Sequence, residues 1–294
     1  MTTFIQQILL GLRDGSLFSL VALGIVLVFK TTGVVNFAYG NMGMFSVYIA
    51  YSLLTYGGAP LWLAVTVALV FAFFLGVAAE RGLLRLVRHM SHSAMLILTL
   101  GILMILEGLS LQIWKQDYRS FPNLVSGVKI IKFLDGRIIL RNQDILIFIV
   151  AAVIMIGLFM YFKFTKTGLA IRATASNERS AKLMGIRVGL IFAAAWGIST
   201  SLSAVAATLA APRTLIYPNM MLALQIQGLT AAVLGGFDSL PGTVVGGLLL
   251  GVIQQLVGNY ISDELRMAFA LVIILVLLMV KPSGLLGSKS VERV

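Results

Sequence analysis

The stretch Ile145-Leu146-Ile147-Phe148-Ile149-Val150-Ala151-Ala152-Val153-Ile154-Met155-Ile156-Gly157-Leu158-Phe159-Met160-Tyr161-Phe162 contains no charged or strongly polar side chain. A helix rises about 1.5 Å per residue, so roughly 20 apolar residues cross a hydrocarbon core of about 30 Å. This segment reads as a membrane span. Its flanks agree, with Asp144 before it and Lys163 after it. Outward from it, Val188 to Ala211 is a second span, rich in Ala, Ser, Thr and Gly. Such small residues let helix backbones approach closely, so this span is expected inside the bundle rather than against lipid.

The composition says the same of the whole chain. Apolar residues make up 59% and charged residues 11% of 294, against roughly 45–50% and 25% in soluble domains. A globule so poor in polar side chains could not cover its surface, which excludes a soluble enzyme. Cysteine is absent, excluding disulfides, thiolate metal sites and a cysteine nucleophile. Met1 to Gly15 has no basic start before its apolar stretch and is not expected to be a cleaved signal. The net charge of +11 is spread over short connections between apolar runs, the pattern of membrane loops rather than of a nucleic-acid interface.

Further spans are read at Leu61–Ala79 and Ala94–Trp114. Shorter ones fall at Gly15–Phe29, Met42–Tyr56, Gln225–Leu234, Val244–Val257 and Met267–Val280. The expected fold is an all-α polytopic membrane protein of eight or nine full or partial spans. Residues 1–294 would form one transmembrane domain without a soluble domain or long linker. If the Lys163–Arg187 connection faces the cytoplasm, 13 of the 22 Lys and Arg lie on that side. That bias has the sign of the positive-inside rule but is small.

Two stretches interrupt the apolar pattern: Lys30 to Gly43, and Gly235-Gly236-Phe237-Asp238-Ser239-Leu240-Pro241-Gly242. Broken backbone at membrane depth must be buried in protein or line a cavity. Paired glycine-interrupted segments in opposite halves would suit broken helices of an inverted repeat around a central path. The alternative is two tight turns, and Pro241-Gly242 is a good turn signal. In the first stretch Asn36, Tyr39 and Asn41 bring more hydrogen-bonding groups than a plain turn needs, so they are candidate pathway residues. Glu107 lies midway in an apolar span. It reads either as a pathway or gating acid or as a bundle-facing carboxylate hydrogen-bonded to a Ser, Thr or Gln on a neighbouring helix. Gln254 and Gln255 are expected to bond between helices. His89 and His92 flank a basic connection and read as interfacial side chains rather than metal ligands. No zinc-protease helix, nucleophile elbow or Gly-Lys-Ser/Thr phosphate loop is present, so no catalytic, metal or cofactor site is expected. If ATP powers the protein, another chain must bind it; the alternative from another class is an ion-coupled secondary transporter acting alone, for which Glu107 is the only mid-span acid.

Three motifs now stand in order. Gly15-Ser16-Leu17, Ala22-Leu23-Gly24 and Gly33-Val34-Val35-Asn36-Phe37-Ala38-Tyr39-Gly40 form the first. Thr167-Gly168-Leu169-Ala170-Ile171-Arg172-Ala173, with Asn177, Ala181 and Leu183-Met184-Gly185-Ile186, is the second. Gly235-Gly236, Ser239-Leu240-Pro241-Gly242 and Gly246-Gly247 form the third, followed by Lys281-Pro282-Ser283-Gly284-Leu285-Leu286-Gly287. Together they resemble permease subunits of the branched-chain amino acid ABC importers (the LivH type) over nearly the whole chain. Tyr39 stands where that family usually has His, Asn41 where Glu or Gln is common, and Asp238 replaces Gly. These departures bear on the solute, because related permeases carry urea, short amides and aromatic acids.

The resemblance implies a multi-pass protein of the bacterial inner membrane with a cytoplasmic C-terminus. It also implies two ATP-binding subunits, a periplasmic substrate-binding protein and a second, paralogous permease chain, a homodimer being the alternative. Residues 167–187 would be the cytoplasmic coupling segment, with Gly168, Arg172, Asn177, Ala181, Met184 and Gly185 at the ATPase contact. Residues 115–143 would be a periplasmic loop. From the residues alone, Asn177 to Arg187 can form a short helix with Arg179, Lys182 and Arg187 exposed and Ala181, Met184 and Gly185 able to enter a groove; a solvated basic loop is the alternative.

Overall fold

The computed structural model describes residues 2–87, 91–133 and 136–287. Arg88, Lys289 and Arg293, which entered the charge reading, and His89, read as an interfacial side chain, lie outside the described residues. The elements run α1 (Thr2–Thr32), α2 (Tyr39–Thr55), α3 (Leu61–Ala79), a π-helical turn (Glu80–Leu84), α4 (Arg85–Val87), α5 (His92–Trp114), β1 (Val128–Phe133) and β2 (Gly136–Arg141). There follow α6 (Asn142–Phe164), α7 (Lys166–Ser176), α8 (Glu178–Leu183), α9 (Val188–Thr214), α10 (Leu222–Gly235), α11 (Leu240–Tyr260) and α12 (Arg266–Val280). Among the described residues, six helical stretches are long and apolar enough to cross a membrane, and α10 and α12 are shorter apolar helices. The protein is an all-α polytopic membrane protein.

Two elements differ from the sequence expectation. The first break is short, since α1 continues through Thr32 and α2 begins at Tyr39, leaving only residues 33–38 outside helix. And the loop after α5 contains an antiparallel β-hairpin, with Val128 paired to Arg141 and Ile130 to Ile139. Its strands carry four Ile, a β-branched residue that suits extended backbone.

The chain packs as two compact units. One comprises residues 2–23, 123–155 and 226–287. Its centre is a close crossing of α1 and α11. A Cβ added to Gly15 would meet Leu248 Cα at 2.8 Å, and one added to Gly11 would meet Val252 Cα at 2.6 Å. Small residues four apart on each helix, Gly11, Gly15 and Ser19 facing Gly247 and Gly251, permit this approach. Ser19 Oγ donates to the Val244 carbonyl at 2.9 Å and helps fix the crossing. Gln254 donates to Gln227 at 2.6 Å and Gln255 to Gln7 at 2.7 Å, so both glutamines bond between helices. The second break is a capped turn. Gly236 has φ +100, and Ser239 caps α11 by accepting the Gly242 N–H. The C-terminal segment closes the end of α10, where Leu285 N–H and Leu286 N–H reach the carbonyls of Leu234 and Gly235 at 2.9 and 3.1 Å. Helix-end carbonyls otherwise lack partners.

The other unit comprises residues 24–122 and 156–225. Here α9 is the central helix, as its small residues led us to expect: 67% of its apolar window is buried, against 17% for α6. The buried face of α3 is a stripe of Ala64, Ala68, Ala72, Gly76 and Ala79. Gly76 packs on the Trp196 carbonyl, and Gly197 on the ring of Phe73. Trp196, Tyr39 and Tyr48 are the largest fully buried side chains of this core.

Candidate functional site

The break between α1 and α2 is built from its own polar groups. Asn36 Oδ1 accepts the Ala38 N–H at 2.9 Å, a local turn that starts α2. The Asn36 amide nitrogen faces the Met42 sulfur at 3.8 Å. Other helices supply the rest: Thr99 Oγ1 on α5 accepts the Phe37 N–H at 3.3 Å, and Ser203 Oγ on α9 donates to the Tyr39 carbonyl at 2.7 Å. Gln225, in the first turn of α10, accepts the Gly40 N–H at 2.7 Å and donates to the Phe37 carbonyl at 2.9 Å. A helix start leaves its first N–H groups unpaired, and leaving them so in an apolar interior is costly.

Asn36, Tyr39 and Asn41 are 1%, 0% and 3% exposed. All three lie inside the second unit, near one another at the start of α2. Asn41 Nδ2 donates to the Leu103 carbonyl on α5 at 3.5 Å. One helical turn further, Glu107 accepts a 2.5 Å hydrogen bond from Asn219 Nδ2. The partner of Glu107 is therefore an Asn in the connection before α10, not a neighbouring helix's Ser, Thr or Gln. Asn219 holds a left-handed φ of +71, which Asn tolerates better than most side chains. Asn36, Tyr39, Asn41 and Glu107 thus lie along one polar seam, in which Thr99, Ser203 and Gln225 bond the backbone of the α2 start and Asn219 bonds Glu107.

The 167–187 segment folds as two short helices. Thr165 caps α7 by accepting the Gly168 N–H at 2.9 Å. Gly168 has no room for a side chain, since a Cβ there would meet Phe162 Cα at 2.7 Å. Asn177 caps α8 by accepting the Ser180 N–H at 2.9 Å, and Glu178 pairs with Lys182 at 2.7 Å. Gly185, with φ +81, ends α8. The Gly185 N–H bonds Lys182 O at 3.0 Å and the Ile186 N–H bonds Ala181 O at 3.1 Å, the Schellman pattern of a glycine-terminated helix. Arg172, Arg179, Lys182 and Arg187 are exposed. Ala181 is not available to a partner's groove, because it is buried against the chain's own Val188 and Phe192, with Ile186 beside it. The exposed apolar residues at this tip are Leu183 (82%) and Met184 (83%).

The family model described as the permease component of the branched-chain amino acid transport system matches residues 7–278. The chain belongs to this permease family. The high-affinity branched-chain amino acid transport system permease protein BraD of Pseudomonas aeruginosa is 30% identical to it, over 99% of this chain and 98% of its own length. The protein named LivH of Escherichia coli (strain K12) is likewise 30% identical over 99% and 98%. A probable branched-chain amino acid transport permease of Methanocaldococcus jannaschii is 27% identical over 92% and 89%. As a permease component, the chain is a transport subunit rather than a catalytic one, and the matched region contains both the polar seam and the α7–α8 segment.

In this permease, sequence reasoning missed Asn219 and Gln225. Tyr217-Pro218-Asn219 did carry a turn signal. Gln225 stood at the edge of an apolar run, and nothing local marks the element it reaches. Leu183 stood in the second motif without being placed at the ATPase contact.

Proposed function

We propose that this chain is a membrane-embedded subunit of an ATP-driven importer, moving branched-chain amino acids delivered by a periplasmic substrate-binding protein. The observation that carries this reading is the end-to-end similarity to permeases whose names state high-affinity branched-chain amino acid transport. ATP is held and hydrolysed on two partner subunits, and this chain needs no cofactor. A second permease chain, paralogous to this one, completes the path through the bacterial inner membrane.

In this reading α7 and α8 face the cytoplasm, as does the C-terminus, and residues 115–143 form the periplasmic loop. The pair of capped helices supports a coupling role: caps at Thr165 and Asn177 and the glycine stop at Gly185 make a stiff projection with Leu183 and Met184 at its tip. Arg172 and the other basic residues surround that tip. A stiff projection transmits a rigid-body displacement from an ATPase to the spans, which a solvated loop would not.

The solute path passes by Asn36, Tyr39, Asn41 and Glu107. Their amide, phenol and carboxylate groups match the ammonium, carboxylate and backbone-like polarity of an amino acid. The permease need not bind tightly, since the receptor supplies affinity and the membrane site must release what it accepts. The test is to purify the chain from membranes in which its partner subunits are co-expressed. ATP-binding subunits should copurify, and receptor loaded with leucine should stimulate their hydrolysis. Unlabelled isoleucine and valine should compete for uptake better than urea, short amides or aromatic acids. Recovery of the chain without any ATP-binding subunit, under conditions that preserve membrane complexes, would contradict the proposal.

A further inference from the structure

Gln225 is the one side chain described above that bonds both sides of the α2 start. Its Oε1 takes the Gly40 N–H at 2.7 Å, inside the first turn of α2, while its Nε2 gives a bond to the Phe37 carbonyl at 2.9 Å, inside the break. Thr99 and Ser203 each supply a single bond to this segment. Gly40 is what admits the amide, because a Cβ on Gly40 would lie 2.5 Å from Gln225 Oε1. Six residues earlier, Asn219 grips Glu107 at 2.5 Å, and its backbone N–H faces the Met44 sulfur at 3.3 Å. Residues 219–225 therefore form a strap fastened at both ends to α2 and α5, the helices that carry Asn41 and Glu107.

The two fastenings differ in kind. Asn219 bonds a side chain, whereas Gln225 substitutes for backbone hydrogen bonds that the 33–38 segment cannot make within itself. Releasing Gln225 leaves a helix-start N–H and a loop carbonyl unpaired, so the break must then move to find other partners. An element with two discrete hydrogen-bonded arrangements is what a conformational cycle requires. We propose that Gln225 is a positioning residue of transport: a clasp whose two hydrogen bonds, to the Phe37 carbonyl and from the Gly40 N–H, hold the 33–38 break closed, and whose release opens it during the ATP-driven cycle. The inference rests on the proposed path past the break.

The test uses the complete complex of this chain with its co-expressed partner subunits, in proteoliposomes, with radiolabelled leucine as the probe. Leucine moved and ATP hydrolysed are both measured. Gln225→Ala removes the clasp. Gln225→Glu keeps its shape and the acceptor for Gly40 but sets a carboxylate oxygen against the Phe37 carbonyl. Both variants should retain ATP hydrolysis within about twofold while leucine moved per ATP falls about tenfold, the scale of losing one to two hydrogen bonds. A single cysteine at position 37 should be labelled faster by a small polar thiol reagent in the ATP-free state when Gln225→Ala is present. Protonation restores a donor to the glutamate, so Gln225→Glu should recover leucine per ATP on acidification, relative to the native complex at each pH.

If leucine per ATP and labelling at position 37 are unchanged in both variants, the clasp is overturned. It is equally overturned if Gln225→Glu loses complex recovery and hydrolysis together, as a purely structural amide would require. A single cysteine at position 41, in a chain with native Gln225, separates the two readings. Its protection in every nucleotide state removes the path itself. Its labelling alongside unaffected Gln225 variants removes only the clasp.

Discussion

The ring of Tyr39 lies against the bare Cα of Gly24: a Cβ on Gly24 would come 2.6 Å from Tyr39 Cε2. The two residues sit on α1 and α2, either side of the break, and α9 secures both. Ser199 Oγ donates to the Gly24 carbonyl at 2.7 Å, and one turn on Ser203 Oγ donates to the Tyr39 carbonyl at 2.7 Å. A pair of serines four apart on one helix face thus fixes the return of the chain after the break. Serine suits this use because its short hydroxyl reaches a neighbouring helix's carbonyl where the backbones are close.

Gly24→Leu should therefore displace Tyr39 and lower recovery of folded protein, whereas Tyr39→Phe should keep the packing. Tyr39→Ala leaves a large buried void, for which aromatic-to-alanine changes cost about 3–5 kcal/mol. The thermal unfolding midpoint in detergent reads these differences. Native-like midpoints for both Gly24→Leu and Tyr39→Ala would show that the contact contributes little.

Glycines of the α1–α11 crossing should behave unlike those on open helix faces. Gly251→Val puts a side chain onto Gly11 O and Gly15 N and is expected to separate the helices. Gly101 and Gly108 on α5 have nothing within 4 Å of an added Cβ. Alanine at either should be neutral or stabilise by about 0.5–1 kcal/mol through helix propensity. The comparison is again of unfolding midpoints, with opposite signs expected.

At the coupling tip, Leu183→Asp and Met184→Asp should leave membrane insertion normal while recovery of ATP-binding partners and leucine uptake fall together. Arg172→Glu should act in the same direction, by placing a carboxylate on a basic surface. Gly185 requires a different control, because its positive φ makes most substitutions disturb α8 itself. Gly185→Asn, which tolerates that conformation, should retain uptake, and Gly185→Val should not. Full uptake in the two aspartate variants would show that the tip is not the contact.

Glu107→Gln keeps an acceptor for Asn219 and should preserve the unfolding midpoint. Glu107→Ala strands a half-buried amide, at a cost of about 1–3 kcal/mol. Leucine uptake then separates two roles for the carboxylate. Uptake retained in Glu107→Gln assigns it to holding Asn219, and uptake lost with the midpoint intact assigns the charge itself to the path.

The spans were legible because hydropathy alone sets them: Ile145–Phe162 proved to be the core of α6, and Val188–Ala211 that of α9. The extent of the first break was not. Gly40 and Gly43 looked like helix breakers, yet they are helical and small because Gln225 and Ser203 approach them closely. The second break was read as path or turn, and its geometry is that of a capped turn closed by the 281–287 segment. Ala181 was assigned outward because a short amphipathic helix has no strong face preference, and tertiary packing on Phe192 decided it. The polar partners of the seam were least legible. Asn219 and Gln225 acquire their roles only from residues more than a hundred positions away in the chain, a pairing that local pattern does not encode.

The central claim is that this chain moves its solute only when ATP-binding subunits drive it. Proteoliposomes holding the chain with and without those partners, supplied with leucine-loaded receptor protein outside, test it directly. The reading predicts radiolabelled leucine accumulation only in vesicles with the partners and ATP on the side of α7 and α8, unaffected by collapsing ion gradients. Accumulation by the chain alone, driven by a sodium or proton gradient, would contradict it.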